Sequence, residues 1–264
     1  MDALAFSKYH GLGNDFVVVD ALGTGDLISS EQARLVCDRH RGVGADGVLT
    51  LLPSRDPAAD ARLHIWNSDG SVAQMCGNGL RCVVAYMAKA RVVLDTDAGL
   101  RSGELRNDGL VRVSLGKPDY TEELLEVRIG EKTFRGLQVD MGNPHYVLEV
   151  FEPDVDLLKM AQAYGQALEH HSAFPDRSNI EFLSWREGRL AVVVHERGVG
   201  ITQACGTGAG ASYIAAKHWG YESSKAVLAV DLLGGSLDVD ESEDEVFILG
   251  DGIKVFSGEL TLEE

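Results

Sequence analysis

The second half of the chain repeats the first half. Cys76 in MCGNG and Cys205 in ACGTG are 129 positions apart, which is close to half of the 264 residues. The same offset relates GND at 13–15 to GNP at 142–144, with no net gap between the two matches. One glycine-rich match arises easily by chance, but several in the same order indicate a duplicated unit. The sequence therefore predicts two lobes of one architecture.

Each half carries the same order of predicted elements. Short apolar and β-branched runs predict strands, and glycine-rich turns separate them. A CG-x-G turn then precedes a run of helical length that is apolar on nearly all sides, which indicates a buried helix. The predicted strands are FVVVD 16–20, VLTLL 48–52, LHIW 63–66, YVLEV 146–150, IEFL 180–183 and LAVVVHE 190–196, and the predicted helices are LRCVVAYMAKA 80–90 and AGASYIAAKHW 209–219.

These elements predict an α/β (α+β) fold with two pseudo-symmetric lobes, each a mostly antiparallel β-sheet curled around a central α-helix. The N-terminal lobe is predicted at 1–118 and the C-terminal lobe at 119–251. The last strand-like run, at 252–264, is predicted to return to the N-terminal lobe and complete it. We expect the active site in the cleft between the lobes, where both CG-x-G turns can face one ligand.

Composition limits the classes of partner. The 41 acidic and 24 basic side chains give a net charge of −17, which argues against nucleic acid and anionic membranes as partners. A small ligand is still compatible with this charge, because a single arginine can reverse the field inside a pocket. We find neither a leader sequence nor an apolar run of the roughly 20 residues that span a bilayer, and we expect a cytoplasmic protein.

The chain has four cysteines, Cys37, Cys76, Cys82 and Cys205. They form no C-x-x-C pair, and no histidine stands at zinc-finger spacing, so we expect neither a metal site nor a disulfide framework. Cysteine is often no more than a small buried apolar residue, and Cys37 and Cys82 keep that interpretation. Cys76 and Cys205 differ from them because both stand at the same place in the repeat.

A thiol at the start of a helix has particular chemical properties. Backbone N–H groups there lack partners, the helix dipole adds partial positive charge, and glycines let a carboxylate approach closely. The same field favours a thiolate, so we expect a lowered thiol pKa. Two such thiols provide a base on one face of an α-carbon and an acid on the other, as inversion of an amino acid requires. The repeat therefore favours an enzyme that inverts an α-carbon by two-base proton transfer.

The chain resembles the diaminopimelate epimerase family. The likeness rests on KYHGLGNDFVVVD at 8–20, HRGVGADGV, NSDGS, MCGNGLRC, GNPH, HERGVG and ACGTGAGA, which follow the family's order across almost the whole chain. It implies interconversion of LL- and meso-2,6-diaminopimelate for lysine and peptidoglycan synthesis, without cofactor or metal, by a homodimer. It also implies that Cys76 donates and Cys205 accepts the proton in the LL-to-meso direction.

The resemblance assigns further roles by motif. It implies that His145 and Glu196 tune the ionisation of the cysteines, and that other residues bind the substrate. These are Asn14, Gly77, Asn78, Gly206 and Thr207 for the reacting carboxylate, and Asn67, Asn143, Asn179 and Arg197 for the distal end. An arginine fork suits a carboxylate. Taken alone, the asparagines also fit local turn geometry, and HERG fits a surface charge cluster.

Several alternatives stay open beside this interpretation. G-x-G-x-x-G at 42–47 resembles a dinucleotide fingerprint, but strand-like VLTLL follows it where a helix is required. A racemase for another amino acid, such as proline or histidine, would share the fold, as would an isomerase of the phenazine pathway that lacks the cysteine pair. A non-catalytic amino-acid-binding protein has no use for two thiols, and a pyridoxal phosphate enzyme would need a Schiff-base lysine. Ile201, near Cys205, replaces an acidic residue common in the family and bears on substrate identity.

Overall fold

The computed structural model describes residues 3–25, 28–150, 155–221 and 227–261. The chain divides into two compact units: the first unit comprises residues 1–114 and 250–264, and the second unit comprises residues 115–249. The lobes expected from the sequence, 1–118 with 252–264 and 119–251, have slightly different boundaries and remain a prediction.

The first unit is a sheet packed against helices. Its valine- and leucine-rich runs form strands because branched and apolar side chains pack well on a pleated surface. Its first helix begins at a capping box, in which the Ser29 side chain accepts from Gln32 N–H and the Gln32 side chain accepts from Ser29 N–H. The elements are β1 Ala3–Gly11, β2 Asn14–Asp20, α1 Ser30–Cys37, β3 Gly47–Leu52, β4 Ala61–Asn67, β5 Val72–Ala73, α2 Gly77–Met87, β6 Arg91–Thr96, β7 Gly99–Leu105, β8 Val111–Gly116 and β19 Ile253–Thr261.

The second unit repeats this sequence of elements. Its first helix is capped by Asp156, whose side chain accepts from the N–H groups of Leu158 and Lys159. The elements are β9 Asp119–Tyr120, β10 Leu125–Ile129, β11 Lys132–Asp140, β12 Pro144–Glu149, α3 Leu157–Glu169, β13 Asn179–Arg186, β14 Arg189–Glu196, β15 Gly200–Ile201, α4 Gly206–His218, β16 Leu228–Leu232, β17 Gly235–Ser242 and β18 Glu245–Gly250.

The two units have the same strand order. Neighbours in the first unit run β19–β1–β2–β3–β4–β6–β7–β8, and neighbours in the second run β10–β11–β12–β13–β14–β16–β17–β18. Pairing is parallel for β2–β3 and β4–β6, and likewise for β12–β13 and β14–β16. The other neighbours are antiparallel. Parallel neighbours need a crossover connection, which the helices supply.

Each sheet curves around one helix. In the first unit, α2 contacts β19, β1 and β2 as well as the distant strands β6 and β7. In the second unit, α4 contacts β11 to β14 and also β16 and β17. All residues of α4 from Gly206 to Ala216 are buried. The predicted fold of two pseudo-symmetric α+β units, each a mostly antiparallel sheet around a central helix, is confirmed.

Both central helices begin three residues before the predicted start. They begin at Gly77 and Gly206, because tertiary packing overrides the low helix propensity of glycine. A Cβ added at Gly79 would lie 3.0 Å from Leu49 Cδ2, and one added at Gly208 would lie 2.9 Å from Glu181 Oε1. Glycine is therefore required for close approach of each helix to its sheet, and each cysteine becomes a helix N-cap.

The glycine-rich segment at 42–47 leads into a strand. Gly47 is the first residue of β3, so the helix that a dinucleotide fingerprint requires does not follow it. Among the helices of the described ranges, none is long and apolar enough to cross a membrane.

Candidate active site

The Cys76 turn begins the central helix of the first unit. Cys76 has extended backbone angles, and its Sγ accepts a hydrogen bond from Gly79 N–H over 3.4 Å. The two residues that follow it, Gly77 and Asn78, are buried in the first turn of α2. The thiol therefore lies among backbone donors at the positive end of a helix, as predicted.

Arg81 ties this turn to the rest of the first unit. Its side chain is fully buried, with Nη2 2.9 Å from Asn78 Oδ1 and Nε 3.0 Å from the carbonyl oxygen of Asp251. A Cβ at Gly11 would lie 2.8 Å from Arg81 Nη2, so the β1–β2 hairpin also packs on the guanidinium. Asn14 is the hairpin partner of Gly11. Arg81 thus links the Asn14 hairpin to Asn78.

Asn14 and Asn67 lie at strand ends of the first unit. Asn14 begins β2. It follows Gly13, which has a φ of 84°, in the left-handed region that favours glycine. Asn14 Oδ1 is buried without a hydrogen-bond partner among the described residues. Asn67 ends β4, is exposed, and donates from Nδ2 to Ser71 Oγ over 2.9 Å. Gly142 before Asn143 has a φ of 89°, so the repeat preserves the backbone at both GN motifs.

The Cys205 turn is built like the Cys76 turn, and side chains of its own first residues and of the segment that leads into β12 join it. Cys205 Sγ accepts from Gly208 N–H over 3.3 Å and lies 3.4 Å from Thr207 Oγ1. Asn143 Nδ2 donates to Thr207 Oγ1 over 3.3 Å. Asn143 Oδ1 in turn lies 3.1 Å from His145 Nε2. The second unit therefore brings four predicted residues into one chain of contacts that starts at the thiol.

Burial changes the electrostatics expected at Cys205. Burial raises the pKa of the Cys205 thiol well above its usual value, and the carboxyl groups of Glu196 and Glu181 raise it further. The hydrogen bonds from Thr207 and from Gly208 N–H act in the opposite direction and lower this pKa. The expectation of a thiol acidified by the helix start is therefore wrong for Cys205, because desolvation outweighs the field of the helix.

The turn after β14 carries Glu196 and Arg197. Arg197 N–H donates to Asn179 Oδ1 over 2.9 Å, and Asn179 Nδ2 donates to the carbonyl of Pro144 over 2.9 Å. Burial raises the pKa of Glu196, which hydrogen bonds to Thr202. The Arg197 side chain is exposed. Asn179 thus fixes the backbone of the turn, while the exposed guanidinium donates from Nη1 to the carbonyl of Asp176 over 3.3 Å.

Two charged residues of this arrangement are missing from the sequence prediction. Glu181 Oε1 lies 2.6 Å from His145 Nδ1, and both side chains are fully buried. Arg81 is the other. Each is a charged residue inside an apolar run of the sequence, IEFL for Glu181 and GLRCVVA for Arg81, and this pattern could have indicated them. In the part of the chain that the structure describes, no group of three His, Cys, Asp or Glu residues is placed to hold a metal ion.

Similarity to known proteins identifies the family. The sequence profile of diaminopimelate epimerase matches residues 6–121 and 137–255. The chain belongs to the diaminopimelate epimerase family. Diaminopimelate epimerases of Synechocystis sp. and Desulforudis audaxviator are 40% and 41% identical to it over 97% of this chain, and the matches span 99% and 98% of those proteins. The predicted family is therefore confirmed.

Solved structures share the fold at much lower identity. A probable proline racemase from Agrobacterium radiobacter, with bound carbonate, has a TM-score of 0.76 at 16% identity and covers 98% of this chain and 93% of its own. A PhzF-family phenazine biosynthesis protein from Bacillus anthracis has a TM-score of 0.72 at 15% identity, covering 99% and 100%. This likeness concerns the architecture alone.

Proposed function

We propose that this member of the diaminopimelate epimerase family interconverts LL-2,6-diaminopimelate and meso-2,6-diaminopimelate by two-base proton transfer at one α-carbon. One observation carries the proposal: a cysteine caps the central helix in both units, at matched positions of the repeat. The relatives that are 40% and 41% identical are named diaminopimelate epimerases, which supports this substrate.

The chemistry follows from a thiolate and a thiol acting on opposite faces of the α-carbon. In the LL-to-meso direction, the Cys205 thiolate takes the α-proton, so that a C–H bond breaks and an S–H bond forms. The electron pair flows into the adjacent carboxylate. The Cys76 thiol then gives its proton to the opposite face and becomes the thiolate. This mechanism requires both N-cap thiols to face one carbon.

Helix starts would stabilise the charge that develops on the reacting carboxylate. The backbone N–H groups at the start of a helix point away from its own carbonyl groups, and they can stabilise an oxyanion without reorganising. The proposed ligands of this carboxylate are Gly77, Asn78, Gly206 and Thr207, with Asn14 beside them.

The distal amino-acid end of the substrate needs its own contacts. We assign it to Asn67, Asn143, Asn179 and Arg197, because an arginine fork matches a carboxylate and asparagine offers both donors and acceptors. His145 and Glu196 are proposed to tune the ionisation of the cysteines. Both lie in the second unit, and Glu196 is close enough to Cys205 to affect the thiol pKa.

The family resemblance further implies a homodimer that works in the cytoplasm without a cofactor. Strand β19 exposes Ile253, Val255 and Phe256, an apolar stretch that a second copy could cover. Sedimentation of the purified protein measures the oligomeric state. Its absorbance spectrum shows whether pyridoxal phosphate is bound.

The decisive experiment is α-proton exchange in D₂O, followed by NMR on LL-diaminopimelate without added cofactor. We expect wild type to incorporate deuterium with inversion. The Cys76→Ser and Cys205→Ser variants should each be unable to complete the epimerisation, because each lacks one of the two bases. Cys37→Ala is the matched control, since Cys37 is a buried cysteine outside both N-cap turns, and it should keep full activity.

Two outcomes would contradict the proposal. Full turnover in either serine variant would rule out the two-thiol mechanism. Absence of exchange in the wild type would leave the two-base site in place but exclude this substrate, and a panel of other amino acids would then be tested. In that case Ile201 would be the first residue to substitute.

A further inference from the structure

Glu181 is a buried carboxyl group in the middle of an apolar strand. It lies in β13 between Ile180 and Phe182, and all three side chains are 0% exposed. Its Oε1 lies 2.6 Å from His145 Nδ1, while Oε2 has no hydrogen-bond partner among the described residues. Burying a carboxyl group is unfavourable unless it is well paired, so its presence calls for a reason beyond packing.

The first unit has apolar side chains at the equivalent positions. The parallel pairs Phe16–Gly47 in β2–β3 and His145–Asn179 in β12–β13 correspond in the repeat. Two residues further on, Leu49 corresponds to Glu181. The glycine contacts agree, since Gly79 packs on Leu49 and Gly208 on Glu181. The fold therefore needs no ionisable pair here, and only the cysteine turn of the second unit has one.

The hydrogen-bond partners fix the number of protons on the His145–Glu181 pair. Asn143 donates to Thr207 from Nδ2, so its Oδ1 must accept, and His145 Nε2 must carry a proton. A second proton must lie between His145 Nδ1 and Glu181 Oε1, because two lone pairs cannot face each other at 2.6 Å. The pair therefore holds two protons and is neutral overall, whether it is imidazolium with carboxylate or imidazole with carboxylic acid.

The number of protons on the pair decides which group donates in each hydrogen bond between His145 and Cys205. His145 donates to Asn143, Asn143 donates to Thr207, and a lone pair of the Thr207 oxygen is thereby occupied. The Thr207 hydroxyl proton is then free to point at Cys205 Sγ, 3.4 Å away. A donor at this place stabilises the Cys205 thiolate, which burial and the nearby Glu196 otherwise disfavour.

We propose that Glu181 is a positioning residue that sets the direction of this series of hydrogen bonds, so that Thr207 donates a hydrogen bond to the thiolate of Cys205. The inference rests on the proposed role of Cys205 as a base. It applies to the second unit alone, because Phe16 and Leu49, the equivalent residues of the first unit, have no ionisable group. The two cysteines are therefore supported differently, although the helices that they cap are equivalent.

Substitution by leucine, the residue at the equivalent position of the first unit, tests this role. Glutamine would not, because its amide N–H can donate to His145 Nδ1 and so keep the proton on Nε2. Glu181→Leu leaves Nδ1 without a partner and the imidazole ring without its second anchor, so its donation to Asn143 is no longer held in place. Thr207 is then no longer directed to donate to the Cys205 thiolate.

The test is the rate of alkylation of each cysteine by iodoacetamide as a function of pH, resolved by peptide mass spectrometry. Alkylation follows the thiolate, so it reports ionisation without substrate. In Glu181→Leu we expect Cys205 to react about tenfold more slowly at neutral pH, as loss of one hydrogen bond to a charged group implies, with its profile moved to higher pH. The Cys76 rate should stay within about twofold. Glu149→Leu, which removes a carboxyl group from the neighbouring strand, is the matched control and should leave both rates unchanged.

A second variant keeps the test decisive if Glu181→Leu folds poorly. Thr207→Val removes the donor itself with little change in shape, so it should slow alkylation of Cys205 by a similar factor. Adding Glu181→Leu to Thr207→Val should then cause no further slowing, because both act on the same hydrogen bond. Unchanged Cys205 reactivity in either single variant, or additive effects in the double variant, would overturn the inference. Failure of wild type on diaminopimelate would instead count against the proposed function and leave these rates unaffected.

Discussion

At the scale of single residues, the turn that carries Arg197 is held by its backbone. Arg197 N–H donates to Asn179 Oδ1, and the next N–H, of Gly198, donates to Glu169 Oε1 over 2.8 Å. Glu169 also lies 3.1 Å from His195 Nε2 and is almost fully buried. The position of the turn is thus set by buried acceptors, and the exposed Arg197 side chain donates a hydrogen bond to the carbonyl of Asp176.

Replacing Arg197 by lysine should therefore affect binding and leave the turn intact. We expect Arg197→Lys to raise KM for the diacid substrate about tenfold with little change in kcat, because an ammonium group cannot form the planar fork. Arg135→Lys, on an exposed position of β11, is the matched control. Steady-state kinetics of both variants measure the effect, and an unchanged KM in Arg197→Lys would remove this residue from the substrate site.

At the scale of elements, a network of charges joins the β1–β2 hairpin to the loop after α1. Asp15 lies 2.6 Å from Lys8 Nζ and 2.7 Å from Arg39 Nη2, and Arg39 also reaches Asp46 at 2.8 Å. The residue equivalent to Asp15 in the second unit is Pro144, which cannot join such a network. The hairpin that presents Asn14 is therefore fixed electrostatically, whereas its counterpart is fixed by the neighbouring strand.

This network should make stability depend on pH in the acid range. Burial alone would raise the pKa of Asp15, but hydrogen bonds from Arg39 and Lys8 outweigh it and lower the pKa to about 2. The unfolded value is near 3.9, so this contribution is complete above about pH 4 and is lost as pH falls from about 4 to about 2.

Arg39→Met should reduce the acid-induced loss of stability by about 1 kcal/mol, a figure discounted for the partial exposure of the pair. Urea unfolding at about pH 6, 4 and 3 measures this difference. Arg55→Met, on an exposed loop, is the control and should follow wild type. If wild type and Arg39→Met lose the same free energy of unfolding on acidification, Asp15 does not act through Arg39.

At the scale of the whole molecule, the repeat supplies two similar helix starts with unequal surroundings. Cys76 caps α2 above apolar Leu49, and Cys205 caps α4 above Glu181. A symmetric pair of thiols would suit a symmetric reaction. Interconversion of two different stereoisomers instead permits two thiols with different surroundings, as Leu49 and Glu181 provide.

The proposed mechanism predicts reversible inactivation by mild oxidation. If both thiols flank one α-carbon, they are close enough to form a disulfide when no substrate separates them. We expect activity to be lost on oxidation and restored by a thiol reductant, with a peptide linking Cys76 to Cys205 detected by mass spectrometry. Cys37→Ala should behave in the same way. Retained activity after both thiols are consumed would contradict their placement around one carbon.

Much of the fold and of the candidate site could be predicted from local patterns. The 129-residue offset gives the duplicated architecture, and the cysteine–glycine turns give the helix starts, because capping and strand formation depend on residues close in sequence. The helix boundaries could not be predicted in the same way. Gly77 and Gly206 lie within the helices although glycine has a low helix propensity, and Gly79 and Gly208, two residues further on, pack closely on the sheets.

The sequence by itself determined the family, the repeat and the two thiols, since these depend on residue identity and spacing. Tertiary structure alone decided which charges surround those thiols. Arg81 reaches the carbonyl of Asp251, 170 positions away, and Glu181 meets His145 because β12 and β13 pair in parallel across a helical crossover. Such contacts change a pKa through burial and distance, and neither quantity is encoded by nearest neighbours in the chain. For that reason the sequence led to an acidified Cys205, whereas the folded chain raises its pKa.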